Sequence, residues 1–110
     1  MEIQVEMKDR AIVVNIEGEI DHHSAEGIRE KIDQLYTNTH ALDVVFDFEA
    51  VTFMDSSGIG MMMGRYKKLK PKGEIKIYNM NPHVKRLVDL SGLNQIIQVY
   101  PTLDAALGGK

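Results

Sequence analysis

Apolar and polar residues alternate at the start of the chain: Ile3, Val5 and Met7 are separated by Gln4 and Glu6 and bounded by Glu2 and Lys8. A period of two is the signature of a strand with one buried face. Lys8-Asp9-Arg10 reads as a turn, and Ile12, Val14 and Ile16 continue the alternation toward Gly18, so an antiparallel hairpin is expected. After Asp21 the period becomes helical. Ala25, Ile28, Ile32 and Leu35 recur on one side of the wheel, with Glu26, Arg29, Glu30 and Lys31 elsewhere. Residues 42–48 are a short, strongly apolar run rich in Val and Phe, as in a central strand. Asp55-Ser56-Ser57-Gly58 then opens a second helix on which Ile59, Met62, Met63, Tyr66 and Leu69 share a face, and Pro71-Lys72-Gly73 stops it. Residues 75–78 predict another strand. Pro82 suits the first turn of a third helix carrying Val84, Leu87 and Val88, which Gly92 ends. Residues 96–100 predict a last strand, and Thr102 starts a short terminal helix.

The resulting order, β-β-α-β-α-β-α-β-α, predicts a single α/β domain over residues 1–110. Its sheet is mixed but mostly parallel, with an N-terminal hairpin and about four flanking helices. Right-handed crossovers place successive strand-to-helix turns along one edge of such a sheet. Asp21 and Asp55-Ser56 both lie at turns of this kind, so they are expected to converge.

Composition narrows the chemistry. The chain has 110 residues, enough for one unstapled core, with 44% hydrophobic and 26% charged residues. It has no cysteine, which removes disulfides, thiol nucleophiles and Cys-ligated zinc. The formal net charge is −3 with acids and bases interleaved, so no footprint for nucleic acid is present. Lys67, Lys68, Lys70 and Lys72 read as a solvated helix end, where cations are favoured. Met1-Glu2-Ile3-Gln4 is unlike a signal peptide, and no apolar run approaches the roughly 20 residues that span a bilayer. A cytoplasmic protein that engages no membrane is expected. With no large apolar stripe evident, a monomer is expected too.

Two clusters are candidates for function. In Asp55-Ser56-Ser57-Gly58 a serine can simply cap a helix by accepting a backbone N–H. Two adjacent serines exceed what one cap needs, and Gly58 and Gly60 strip side chains from the neighbouring surface, so that another protein can approach the hydroxyl closely. Met61 falls off the expected core face, beside the glycines, as an apolar contact. Nucleophilic catalysis is the alternative. However, Met54-Asp55-Ser56-Ser57-Gly58 lacks the first glycine of a nucleophile elbow, and no spacing singles out His22, His23, His40 or His83 as a base. In Asp21-His22-His23, Asp21 and Ser24 read as a cap for the first helix, with both histidines in solvent. Asp43, Asp47, Asp89 and Asp104 show no clusters to complete a metal site. No phosphate-binding Gly-x-x-x-x-Gly-Lys-Ser/Thr loop occurs. The expectation is therefore no catalytic residue, no metal and no cofactor.

Four blocks together resemble a known family. They are Gly18-Glu19-Ile20-Asp21-His22-His23-Ser24-Ala25, Phe53-Met54-Asp55-Ser56-Ser57-Gly58-Ile59-Gly60, Gly64-Arg65-Tyr66-Lys67, and Val84-Lys85-Arg86-Leu87 with Asp89-Leu90-Ser91-Gly92-Leu93. The family is the anti-sigma factor antagonists, which are single STAS domains, and the blocks are most similar to its sporulation branch, directed at the anti-sigma F factor. The likeness runs from about residue 3 to residue 107. It implies a partner-switching protein. The unphosphorylated form binds an anti-sigma factor that is itself an ATP-dependent serine kinase, and so frees the sigma factor. Phosphorylation of Ser56 by that kinase, with its bound nucleotide, ends the complex, and a serine phosphatase resets the switch. Asp21 then matches the acidic residue that meets an arginine of the kinase, and Ile59 and Gly60 match part of a docking surface that also takes in Asp55, Ser56, Ser57, Gly58 and Met61. Two other readings are a STAS module of a general-stress or membrane-transport system, and a small serine- or metal-dependent hydrolase.

Overall fold

β1 (Glu2–Lys8) and β2 (Ala11–Ile20) form the expected antiparallel hairpin, in register so that Ile3 pairs with Ile16 and Val5 with Val14. Asp9 makes the turn at φ 57°. The chain continues through α1 (His22–Asn38), β3 (Asp43–Asp47), β4 (Val51–Met54), α2 (Ser56–Leu69), β5 (Ile75–Tyr78) and α3 (Pro82–Ser91). A single 3-10 turn (Leu93–Gln95), β6 (Gln98–Tyr100) and α4 (Leu103–Ala106) complete it. This computed structural model describes residues 2–108; Met1, Gly109 and Lys110, the extremes of the expected 1–110 domain, lie outside the described residues.

The sheet runs β1-β2-β3-β5-β6, and every pairing after the hairpin is parallel. The expected mixed, mostly parallel sheet is therefore present, with residues 43–47 at its centre. Alternation divides its faces. Ile12, Val14, Ile16, Val44, Phe46, Ile75 and Ile77 point into one core with Ile28 and Ile32 of α1, Met62 of α2, and Val84 and Val88 of α3. Ala11, Val13, Val45 and Tyr78 point to the opposite face, where Ala106 of α4 covers them. Burying a side chain of Ile or Phe size contributes about 1.5–3 kcal/mol. The larger cluster is thus the main source of stability and a rigid base for the turns at its edge.

Two elements differ from expectation. β4 was not anticipated: it leaves the main path of the sheet to pair in parallel with the end of β2, Gly18 opposite Val51, Glu19 opposite Phe53 and Ile20 opposite Met54. Thr52 is the extra residue of a β-bulge, and the bulge removes the alternation by which so short a strand is recognised. The last strand is also shorter than 96–100. Gly92 turns the chain in the left-handed region at φ 81°, and the N–H groups of Ile96 and Ile97 both donate to Leu93 O at 3.0 Å. Their donors are used locally, so pairing with β5 begins at Gln98.

Candidate functional site

The two clusters singled out from the sequence meet at the strand ends of β2 and β4. The Asp55 N–H donates to Ile20 O at 3.1 Å, which fixes the turn into α2 against the turn into α1. Asp21 and Ser56 each follow one of the bonded residues, so the expected convergence is present, and both side chains are exposed.

Each turn is built by its own cap. Asp21 accepts the Ser24 N–H on Oδ1 at 2.9 Å, and the Asp21 N–H donates to Ser24 Oγ at 2.8 Å, a reciprocal capping box. The Ser24 backbone bond, then the Ser24 hydroxyl, hold the Asp21 carboxyl below its ordinary pKa, with a smaller contribution from His23. Asp21 is therefore a firmly ionised carboxylate facing solvent. His22 and His23 are exposed. At the second turn the cap is Asp55, whose Oδ1 accepts the Ser57 N–H at 2.8 Å. Ser56 is the first residue of α2, and capping is performed by its neighbour. A hydroxyl at this position stands beside the free N–H groups and the positive end of the helix, where an anion is stabilised.

The glycines divide by role. Gly58 is buried, and a Cβ there would lie 2.5 Å from Met54 Cγ and Sδ and 3.1 Å from Ile20 Cγ2. It lets α2 close onto the strand ends, so it supports the surface from beneath. Gly60 is exposed, and a Cβ there would have nothing within 4 Å. Ile59 is half-buried against the core.

Met61 corrects the reading from the helical wheel. It is 6% exposed and belongs to the main core, with only its edge reaching the surface. The reason is that α2 lies against α1 as well as the sheet. Its buried positions are Gly58, Met61, Met62, Arg65 and Leu69, while Met63 and Tyr66 are only partly covered. Arg65 holds the two helices together. It is 7% exposed, and its Nε lies 3.0 Å from Asp33 Oδ1, an ionic contact rather than an aligned hydrogen bond. Burial lowers the Arg65 pKa from its ordinary value, and the Asp33 charge opposes that shift.

The surface beside Ser56 is shallow. One open groove of 280 Å³ runs between His22 and Arg29 of α1 and Ser57 and Gly60 of α2. A second, of 610 Å³, is lined by Glu19, Asp21, His23 and Thr52. Among the described residues no group of three or more His, Asp or Glu is placed to hold a metal ion. The arrangement suits contact with another macromolecule better than enclosure of a small substrate. The sequence offers Phe53 within a matched block and His83 as one of four candidate bases, but does not bring them together: their ring centroids stack at 5.3 Å, and no local pattern joins residues so distant along the chain.

The chain as a whole is similar to known proteins. Residues 2–106 match the model of the STAS domain family. The chain is 37% identical over 103 residues to an anti-sigma F factor antagonist of Paenibacillus polymyxa, covering 91% of this chain and 88% of that protein. It is 36% identical over 98 residues to the anti-sigma-B factor antagonist of Bacillus subtilis, covering 88% of each. Among solved structures it superposes on the anti-sigma factor antagonist SpoIIAA in its unphosphorylated form with a TM-score of 0.84. That match has 32% identity and covers 96% of this chain and 93% of that one.

Proposed function

The chain belongs to the STAS domain family, and we propose that within it the protein is an anti-sigma factor antagonist switched at Ser56. Unphosphorylated, it binds an anti-sigma factor that is a serine kinase and thereby releases a sigma factor. The kinase transfers the γ-phosphoryl of ATP to Ser56 Oγ, the hydroxyl proton leaves, ADP remains, and the complex dissociates. A serine phosphatase returns the chain to its binding form. The protein works in the cytoplasm by association rather than turnover. Among the described residues no helix is long and apolar enough to cross a membrane.

The observation that carries this reading is the exposed Ser56 at the first position of α2, relieved of capping by Asp55, on a turn bonded through its backbone to the one that leads into Asp21. A phosphoserine adds about −1.5 to −2 charges at neutral pH. The α2 N-terminus tolerates that charge, so the fold survives modification. The contact surface does not tolerate it. Asp21 and Asp55 already make this surface acidic, and a partner matched to them meets a larger anion in the wrong place. A coupling of a few kcal/mol changes affinity about a hundredfold. The docking surface comprises Asp21, Asp55, Ser56, Ser57, Ile59 and Gly60, with Gly58 shaping it from below.

The sporulation system is the first assignment, and likeness to an anti-sigma-B factor antagonist supports general stress as the second. One experiment tests site and system together. The purified chain is mixed with ATP and, separately, the anti-sigma F and anti-sigma-B kinases of its host, and phosphate is mapped by mass spectrometry. A single phosphate on Ser56, added by the first kinase, is expected. Phosphate on Ser57 alone, or none with either kinase, overturns the assignment of the site.

A further inference from the structure

We propose that Phe53, backed by His83, is the apolar anchor of the docking face, inserting into an apolar pocket of the anti-sigma factor bordered by basic groups. The proposal rests on the function proposed above and extends its surface to a strand not included there.

The bulge at Thr52 is the starting point. Without an extra residue, strict alternation from the buried Val51 puts Phe53 inward and Met54 outward. The bulge shifts the phase by one position. Met54 turns in, 1% exposed opposite the buried Ile20, and Phe53 turns out, 41% exposed opposite the exposed Glu19. The fold thus places a large aromatic ring in water at a site where unbulged pairing buries it. Bulges commonly re-aim side chains in this way beside functional sites.

The ring is also held. The His83 imidazole stacks on it with centroids 5.3 Å apart and planes inclined by 21°. His83 is positioned by the start of α3, where Asn81 caps the helix through Val84 N at 2.8 Å and its Nδ2 donates to Val51 O at 2.7 Å. That second bond ties the end of α3 to β4 itself. A ring already fixed in one orientation loses little freedom on binding, which is what a binding anchor requires.

The occupant follows from continuity and charge. Phe53 lies three residues before Ser56, at most about 10 Å along the chain. Thr52 beside it lines the same groove as Glu19 and Asp21. Phe53 stands opposite Glu19 in the strand pairing, and Asp55 and Asp21 follow two residues further along the two paired segments. A macromolecule that meets this surface around Ser56 also reaches Phe53, and the complementary face is apolar at its centre with cations around it.

The test uses the whole chain and the purified anti-sigma factor that phosphorylates it, titrated by calorimetry with ADP present. Phe53→Ser is expected to raise Kd at least tenfold, Phe53→Tyr to stay within threefold, and His83→Ala to raise Kd three- to tenfold. All three should keep the wild-type circular dichroism spectrum, since the rings are at the surface. A change below twofold in both Phe53→Ser and His83→Ala overturns the proposal. Loss in Phe53→Ser with none in His83→Ala keeps the anchor and overturns the brace. If the wild-type chain binds neither host kinase, the function proposed above fails and this extension fails with it.

Discussion

The Asp55 N–H donates to Ile20 O at 3.1 Å, and this one bond fixes the turn that carries Ser56 against the turn that carries Asp21. Because Asp55 supplies the cap of α2, Ser56 is dispensable to the fold. Ser56→Ala is expected to keep native stability and to hold its kinase persistently. Ser56→Asp places a carboxylate where the helix dipole favours one, so its melting temperature should match or slightly exceed that of wild type. Its affinity for the kinase should fall by about a hundredfold, equivalent to about 2.7 kcal/mol. Thermal melts and titration calorimetry separate these effects. Collapse of the fold in Ser56→Asp assigns the residue to structure instead.

Asp21 has two duties that one substitution confounds and two separate. As a cap it accepts the Ser24 N–H, and losing such a cap costs about 1 kcal/mol of stability. As an ionised surface group it is available to a cation of the partner. Asparagine caps a helix as well as aspartate does but carries no charge. Asp21→Asn should therefore unfold at the wild-type urea concentration while binding the kinase more weakly, by about 1–3 kcal/mol. Asp21→Ala should lose both. If Asp21→Asn binds normally, the carboxylate serves only the helix.

How much of this was legible in the sequence depended on the range of the signal. The hairpin, α1, the strand at 75–78, the start of α3 at Pro82 and its end at Gly92 follow from local period and punctuation, and each stands where expected. The serine block and Asp21 were legible because turn chemistry is local as well. β4 was not, since a four-residue strand with an extra residue at Thr52 has no period to detect. Met61 was misplaced because a wheel assumes one flat surface to pack on, whereas α2 is covered by the sheet on one side and α1 on another. The Phe53–His83 stack brings together residues from β4 and α3, which only the folded chain makes neighbours.

Tyr78 gives the fold a dependence on alkaline pH. It lies on the sheet face away from the long helices, where burial raises its phenol to about 12, and its O–H donates to Asp47 Oδ2 at 3.0 Å. An unfolded phenol ionises near 10. Between those values the unfolded chain has released this proton and the folded chain has not, so rising pH favours unfolding. The contribution of Tyr78 is thus complete below about pH 10 and gone above about pH 12. Phenolate absorbance should show Tyr78 ionising late, near 12. Tyr78→Phe should remove that late step and flatten the decline of urea stability over the same interval.

Gly58 and Gly60 sit two residues apart in one helix, yet alanine should act on them in opposite senses. At Gly58 the new methyl overlaps Cγ and Sδ of the buried Met54 and crowds Ile20 Cγ2, and overpacking of this kind costs about 1–3 kcal/mol. At Gly60 the methyl meets nothing within 4 Å, and replacing an interior helical glycine by alanine stabilises by about 0.5–1 kcal/mol. A residue that weakens its own helix without a packing reason inside the molecule points to a reason outside it. Gly60→Ala should therefore raise the urea midpoint while weakening the complex with the anti-sigma factor about tenfold, as a methyl holds the two surfaces apart. Equal affinity in Gly60→Ala would remove this position from the docking surface. A lowered midpoint would mean that α2 packs differently from the arrangement found here.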